Sequence, residues 1–258
     1  MTGVQTCALP ISGVHPYTVP NLDDGTIPLD EIRSGIRSDN IHFPSTRLLI
    51  LENTHNVCGG TPISSDYIER AAALVHEYGI KLHIDGARIF NAAAALGKPA
   101  SVLAASADSI TFCLSKGLAA PVGSVLCGTR EFIDRARRNR KMLGGGMRQA
   151  GIMAAAGIVA LEQMVERLAE DHQRTLRLGE ELAEIPGIEL YQGVPATNML
   201  YIRINHGKIN TTRVIEMAAE RRIRLGARSD TDMRLVLHYQ IDDSGVERAA
   251  GLFRDLLS

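Results

Sequence analysis

Two residues with reactive side chains stand 31 positions apart, Asp85 and Lys116. Each follows a segment that reads as a strand, Lys81–Ile84 for the aspartate and Ser109–Leu114 for the lysine, and each is followed by glycine. A lysine at the end of a buried strand is poorly placed for solvent, and burial lowers an amine's pKa. A neutral amine condenses with an aldehyde or ketone. Taken singly, each residue has a plainer reading: a strand-end lysine reaches back to water, and Asp-Gly is a common turn. Together they are more specific. A carboxylate at one strand end can keep a heterocyclic nitrogen protonated while a lysine at another holds a carbonyl. Those are the two protein groups that pyridoxal 5′-phosphate requires.

The rest of the chain supplies strands and helices to carry this pair. It has 258 residues, 45% hydrophobic and 22% charged, enough for one large or two modest domains with a real core. A net charge of −1 gives no global attraction to nucleic acid or membrane. No run of about 18 apolar residues occurs, so no membrane span is expected. The absence of Trp and the 4% aromatic content argue against a stacking platform for single strands. Four cysteines without CxxC spacing suggest a reducing cytoplasm.

Residues 1–11 (MTGVQTCALPI) have neither a basic n-region nor a proper apolar h-region. Residues 2–11 resemble the translation of a sequencing-library adapter, so this segment is expected to be non-native, with the domain pattern starting at Ser12. From there, strands and helices alternate through residue 150: a helix Pro28–Arg37, a buried strand Arg47–Leu51, a flexible Gly59-Gly60 turn, a helix Ser65–Tyr78, the strand before Asp85, a helix Ile89–Leu96, and strands on both sides of Lys116. A long helix, or two, spans Gln149–Ile185. Strand, helix, strand Met233–Gln240 and helix Ser244–Leu257 then close the chain. This pattern predicts a doubly wound α/β domain over 12–150, and a connecting helix with a small α+β domain over 151–258. Gly144–Gly146 follows a helix and lacks GxGxxG spacing, which excludes a Rossmann fingerprint. The basic run Arg135–Lys141 spreads around a helix and reads as a solvated or inter-subunit surface.

Four segments narrow the reading further: LENTHN with Gly59-Gly60 (51–60), HIDGARIFNA (83–92), LSKGLAAPVGS (114–124) and MLGGGMRQA (142–150). In this order they resemble the low-specificity threonine aldolases, relatives of the β-eliminating lyases with the pyridoxal-phosphate fold type I. The resemblance runs from Ser12 to the C-terminus. It implies that Lys116 forms the Schiff base and that Asp85 binds the pyridine nitrogen. It places Arg88 beside the cofactor ring and the substrate carboxylate, Arg234 as the clamp on that carboxylate, and Arg148 as a holder of the cofactor. His42 matches a histidine near the substrate β-hydroxyl. The residues alone leave duller alternatives: a surface ion pair for Arg88, solvation for Arg234 and exposure for His42. His83 shares a strand face with Asp85 and is either a partner behind the carboxylate or core packing. His55 is read as orienting its loop. The implied reaction is cleavage of L-threonine or L-allo-threonine to glycine and acetaldehyde by a cytoplasmic homotetramer. Family members carry a further segment upstream of the position of Ser12, with a phosphate-binding loop and a ring-stacking histidine. The large domain is therefore expected to be incomplete at its N-terminus. An inactive remnant of such an enzyme, or a fold-type-I lyase acting by β-elimination, are the alternatives.

Overall fold

The computed structural model describes residues 12–257; the segment 1–11, expected to be non-native, lies outside them. Helix α1 (Leu29–Gly35) follows Pro28 and carries Asp30 and Glu31 in its first turn, where the helix dipole favours acids. Strand β1 (Leu48–Glu52), helix α2 (Ser65–Glu77), β2 (Lys81–Asp85), helices α3 (Ile89–Leu96) and α4 (Ala100–Leu103), β3 (Ser109–Cys113) and β4 (Ser124–Gly128) follow. They form one sheet in the order β1-β2-β3-β4, parallel except for β4 against β3. Helix α2 starts where Ser64 accepts the Tyr67 N–H at 3.3 Å, and Gly79 turns left-handed (φ +69°) just past its end. Its apolar stripe, Ile68, Ala71, Ala72 and Val75, is buried in one core with Leu82 and Ile84 of β2, both 0% exposed.

Strand β1 departs from the expected burial. Leu51 is buried, but Leu48 and Ile50 are 48% and 55% exposed. Parallel sheets ordinarily carry cover on both faces; among the described residues, nothing covers this side of β1.

Helix α5 (Arg130–Met142) buries no residue, so the basic run lies on an open helix. The long helical stretch resolves into α6 (Gly151–Gln163) and α7 (Leu168–Ala183), broken at residues 164–167. Strands β5 (Ile188–Glu189), β6 (Met199–Ile204) and β7 (Asp232–Val236) form a separate antiparallel sheet in that order. Helices α8 (Thr211–Glu220) and α9 (Asp243–Leu257) pack on it through Val214, Val246, Ala250 and Phe253, joined by Leu178 and Leu182 of α7. Strand β7 stops four residues before the expected Gln240. Leu237 still donates to Asn198 O at 3.0 Å, but the chain then turns, with Ile241 N–H on His238 O at 2.8 Å.

Asp108, at the entrance to β3, gathers three donors: Lys81 Nζ at 2.7 Å, the Leu82 N–H at 2.9 Å and the His76 ring at 2.8 Å. Partial burial pushes its carboxyl up, but Lys81, the Leu82 amide and His76 outweigh this and bring it from 3.8 to about 2. The folded form thus releases its proton at lower pH than the unfolded chain. The stabilisation is complete above about pH 4 and disappears as pH falls through about 2. Asp108→Asn is expected to lose about 1–2 kcal/mol at pH 7, allowing for solvent screening of a side chain at the surface. Urea melts of both proteins at pH 7 and pH 3 check this: the gap should narrow at the lower pH.

Candidate active site

Parallel pairing sets Glu52 opposite Asp85, and Asp85 opposite Thr111. Glu52 and Asp85 end their strands at the C-terminal edge of the sheet, where open α/β folds place ligands. Asp85 is exposed and accepts the Ala87 N–H on Oδ1 at 3.2 Å. The turn after it is tight: Gly86 donates to Thr111 O at 2.7 Å, and a Cβ on Gly86 would come within 2.9 Å of Ile110 Cδ1. The half-buried His83 is tied to β3, with Nδ1 2.8 Å from Ser109 Oγ and Nε2 3.3 Å from Thr111 Oγ1. Burial lowers its pKa, and Asp85 opposes this. It sits near the carboxylate without bonding to it.

Lys116 occupies a turn beyond β3. The turn is fixed by its backbone: Leu114 N–H to Gly123 O at 2.9 Å, Ala119 N–H to Lys116 O at 2.9 Å, and Ala120 N–H to Leu114 O at 3.0 Å. Ala119 adopts φ +60°, a left-handed conformation that costs a non-glycine residue about 1–2 kcal/mol. Leu114, Leu118 and Ala120 anchor the turn against Ala160 and Leu168. Lys116 itself is exposed, which corrects the expected burial: the apolar anchors flank it and it projects away from them. Its amine makes no hydrogen bond or ion pair among the described residues.

Arg88 caps the start of α3 and is half-buried. Burial lowers its pKa and the neighbouring Arg234 lowers it further, while Glu52, Tyr201 and Cys113 act in the opposite direction. Its interacting neighbours are thus Arg234, Glu52, Tyr201 and Cys113. Neither guanidinium forms an ion pair among the described residues. Arg234, also half-buried, donates through Nη1 to the neutral Asn56 Oδ1 at 2.7 Å. Asn56 is held in turn by its N–H on Glu52 Oε1 at 3.2 Å and by the Tyr201 hydroxyl on its carbonyl. Tyr201 is the register partner of Arg234 across β6 and β7. Two neighbouring half-buried like charges, neither in an ion pair and with Glu52 the one carboxylate named against them, are an arrangement that a further anion relieves.

The loop between β1 and α2 joins this edge to the second sheet. His55 accepts the Cys58 N–H on Nδ1 at 3.3 Å and pairs through its backbone with Thr61 and Gly60. Gly59 and Gly60 both take positive φ, as a turn requires, but the turn is packed rather than flexible. A Cβ on Gly60 would lie 2.5 Å from Met199 Cε, and Thr197 Oγ1 donates to Gly60 O at 2.9 Å.

His42 and Arg148 are both exposed, and neither is joined to the other candidates by a hydrogen bond or ion pair among the described residues. The backbone N–H of His42 donates to Asn40 Oδ1 at 2.8 Å. Tyr201 escapes the sequence reading, which reaches Glu52 and Asn56 only as polar residues massed at the end of a strand. Glu52 and Asn56 stand inside LENTHN, which offered a signal. Tyr201, in a plain apolar strand, gave none.

No group of three or more His, Cys, Asp or Glu able to hold a metal ion occurs among the described residues, and no described helix is long and apolar enough to cross a membrane. The beta-eliminating lyase family profile matches residues 4–205. Low-specificity L-threonine aldolase 1 of Arabidopsis thaliana is 42% identical over 250 residues, 96% of this chain and 70% of that protein. The Leishmania major threonine aldolase structure superposes with a TM-score of 0.79 at 20% identity, covering 98% of this chain and 73% of that one. The histidinol-phosphate aminotransferase of Clostridium acetobutylicum superposes with a TM-score of 0.68 at 17% identity, covering 96% and 73%. The two superpositions speak for the α/β fold type I shared by pyridoxal-phosphate enzymes, and the profile with the 42% relative speaks for descent. The chain belongs to the low-specificity L-threonine aldolase family among the β-eliminating lyases.

Proposed function

We propose that this chain is an aldehyde-lyase that cleaves β-hydroxy-α-amino acids with pyridoxal 5′-phosphate, converting L-threonine and L-allo-threonine to glycine and acetaldehyde. The observation that carries this is the Arg88–Arg234 pair. Arg88, three residues after Asp85, and Arg234, hydrogen-bonded to Asn56 just beyond β1, are neighbouring half-buried cations, neither of them in an ion pair among the described residues. The donor set fits the cofactor's carbonyl and ring ends. Lys116 has an unengaged amine, and Asp85 uses only Oδ1 internally, leaving Oδ2 for a ring nitrogen. When bound, the cofactor supplies an electrophilic carbonyl and an electron sink for the bond broken at Cα.

Within this reading, Lys116 would hold the cofactor and yield it to the substrate amine. Asp85 would keep the ring nitrogen protonated. Arg234 and Arg88 would bind the substrate carboxylate and orient the substrate, a contribution worth several kcal/mol. His42 would take the β-hydroxyl proton as the aldehyde departs. Arg148 would help hold the cofactor, on its phosphate side. The Arg148 assignment draws support from the MLGGGMRQA segment, and the His42 assignment from the family resemblance.

Incubating the chain and cofactor with L-threonine, L-allo-threonine and L-serine tests the proposal. Acetaldehyde and glycine are expected from both threonine isomers, and no aldehyde from either would sink it. β-Elimination is the second reading, favoured by the description of the matching family. The serine arm separates the two: retro-aldol cleavage gives glycine and formaldehyde, whereas elimination gives pyruvate and ammonia.

The expected homotetramer is supported by α6, where Ile152, Ile158, Val159 and Leu161 are exposed. Light scattering should find a species several times the 28.0 kDa chain mass. A monomer at micromolar concentration would refute assembly.

A further inference from the structure

Behind the site lies a buried amide with both of its N–H groups engaged. Asn91, on α3 and 2% exposed, places Nδ2 3.0 Å from His172 Nε2 on α7 and 3.2 Å from Asn198 Oδ1 before β6. Burial holds the His172 pKa down against the pull of Asp171, so the ring is neutral and Nε2 can accept. With both donors taken, the Asn91 carbonyl oxygen is left facing Gly117. A Cβ on Gly117 would lie 2.9 Å from Asn91 Oδ1 and 2.9 Å from Leu168 Cδ2. No side chain fits there, and Gly117 is the residue after Lys116. The third contact leads towards Arg234. Asn198 donates from Nδ2 to Leu237 O at 2.8 Å and accepts the Leu237 N–H at 3.0 Å, three residues beyond Arg234. Arg88 lies three residues before Asn91.

We infer that Asn91 is a positioning residue that locks three elements into one register: the Lys116 turn, the helix led by Arg88 and the strand bearing Arg234. His172 and Asn198 are its fixed partners. The functional meaning of this lock rests on the aldolase reading, whereas its physical existence does not. A side chain that bonds α7 and the second sheet while abutting the lysine turn sets the separation between the amine and the carboxylate clamp. An error of about 1 Å in such a separation can cost about 100-fold in rate.

Hydrogen exchange by mass spectrometry, on the full chain without cofactor, tests the lock directly. Asn91→Ala leaves buried acceptors unsatisfied, so exchange should rise roughly tenfold or more in residues 114–120 and at Leu237, while α1 and α8 keep their rates. His172→Leu should reproduce this pattern. His172→Gln offers an oxygen acceptor and should stay near the unsubstituted rates. The inference is overturned if neither Asn91→Ala nor His172→Leu loosens the lysine turn, if exchange rises uniformly through the chain, or if Gln and Leu at position 172 behave alike. Borohydride trapping of pyridoxal phosphate on Lys116 of the unsubstituted chain tests the cofactor reading separately. A failure there would remove that reading and leave the exchange result standing.

Discussion

Lys116→Ala is expected to lower kcat/KM for threonine cleavage by on the order of 10³-fold, because on the proposed reading its amine would be the covalent holder of the cofactor. Lys116→Arg should fare no better. It keeps the positive charge and much of the length, but a guanidinium does not give up its proton and cannot form the carbon–nitrogen bond. The two variants together separate nucleophile from charge. If Lys116 served only as a cation, arginine would restore most of the activity. Within the described residues of a single chain the Lys116 side chain is exposed. What distinguishes it is placement on a turn rigid enough to hold Ala119 left-handed, with no acid among its described contacts. A chemical readout accompanies the kinetic one. Borohydride should fix the cofactor to the unsubstituted chain and to neither variant, and peptide mapping should find it on residue 116. Attachment at another lysine would overturn the assignment.

The sequence made Lys116 and Asp85 visible because strand-end placement follows from local pattern: an apolar run, a charged residue and a glycine. The same patterns located helices α2, α3 and α9 within a residue or two of their ends. It failed where the third dimension decides. Strand β5 has two residues, too few for any period to register. Arg47–Leu51 has a composition that suggests full burial, but burial depends on what packs against Leu48 and Ile50, which a local pattern does not contain. Lys116 was read as buried because its neighbours are, yet a turn can bury Leu114 and Leu118 and still project the residue between them. Asn56 and Tyr201 gained significance only through contacts 145 and 178 residues away in sequence, from the Tyr201 hydroxyl to the Asn56 carbonyl and from Arg234 to the Asn56 side chain. No spacing rule reaches so far.

Asn56 also gives the sharpest test of the carboxylate clamp. Arg234→Gln should raise KM for L-threonine by roughly 10- to 100-fold, the loss of a charge-assisted hydrogen bond worth about 1.5–3 kcal/mol. Asn56→Asp should give a similar increase without touching either arginine. Its carboxylate would stand where Asn56 Oδ1 now meets Arg234 Nη1 at 2.7 Å. The side chain is nearly isosteric, so the fold is retained, but an internal ion pair would occupy the guanidinium and repel an incoming carboxylate. Arg234→Lys should fall between, since an ammonium keeps the charge and lacks the planar fork. On that reading the clamp would orient as well as bind, so kcat should fall too, by a smaller factor. Threoninamide supplies the control. It has no carboxylate to clamp, so the unsubstituted chain should process it poorly, and Asn56→Asp should process it about equally poorly. An unchanged KM for threonine in both Arg234→Gln and Asn56→Asp would move the substrate carboxylate away from this pair.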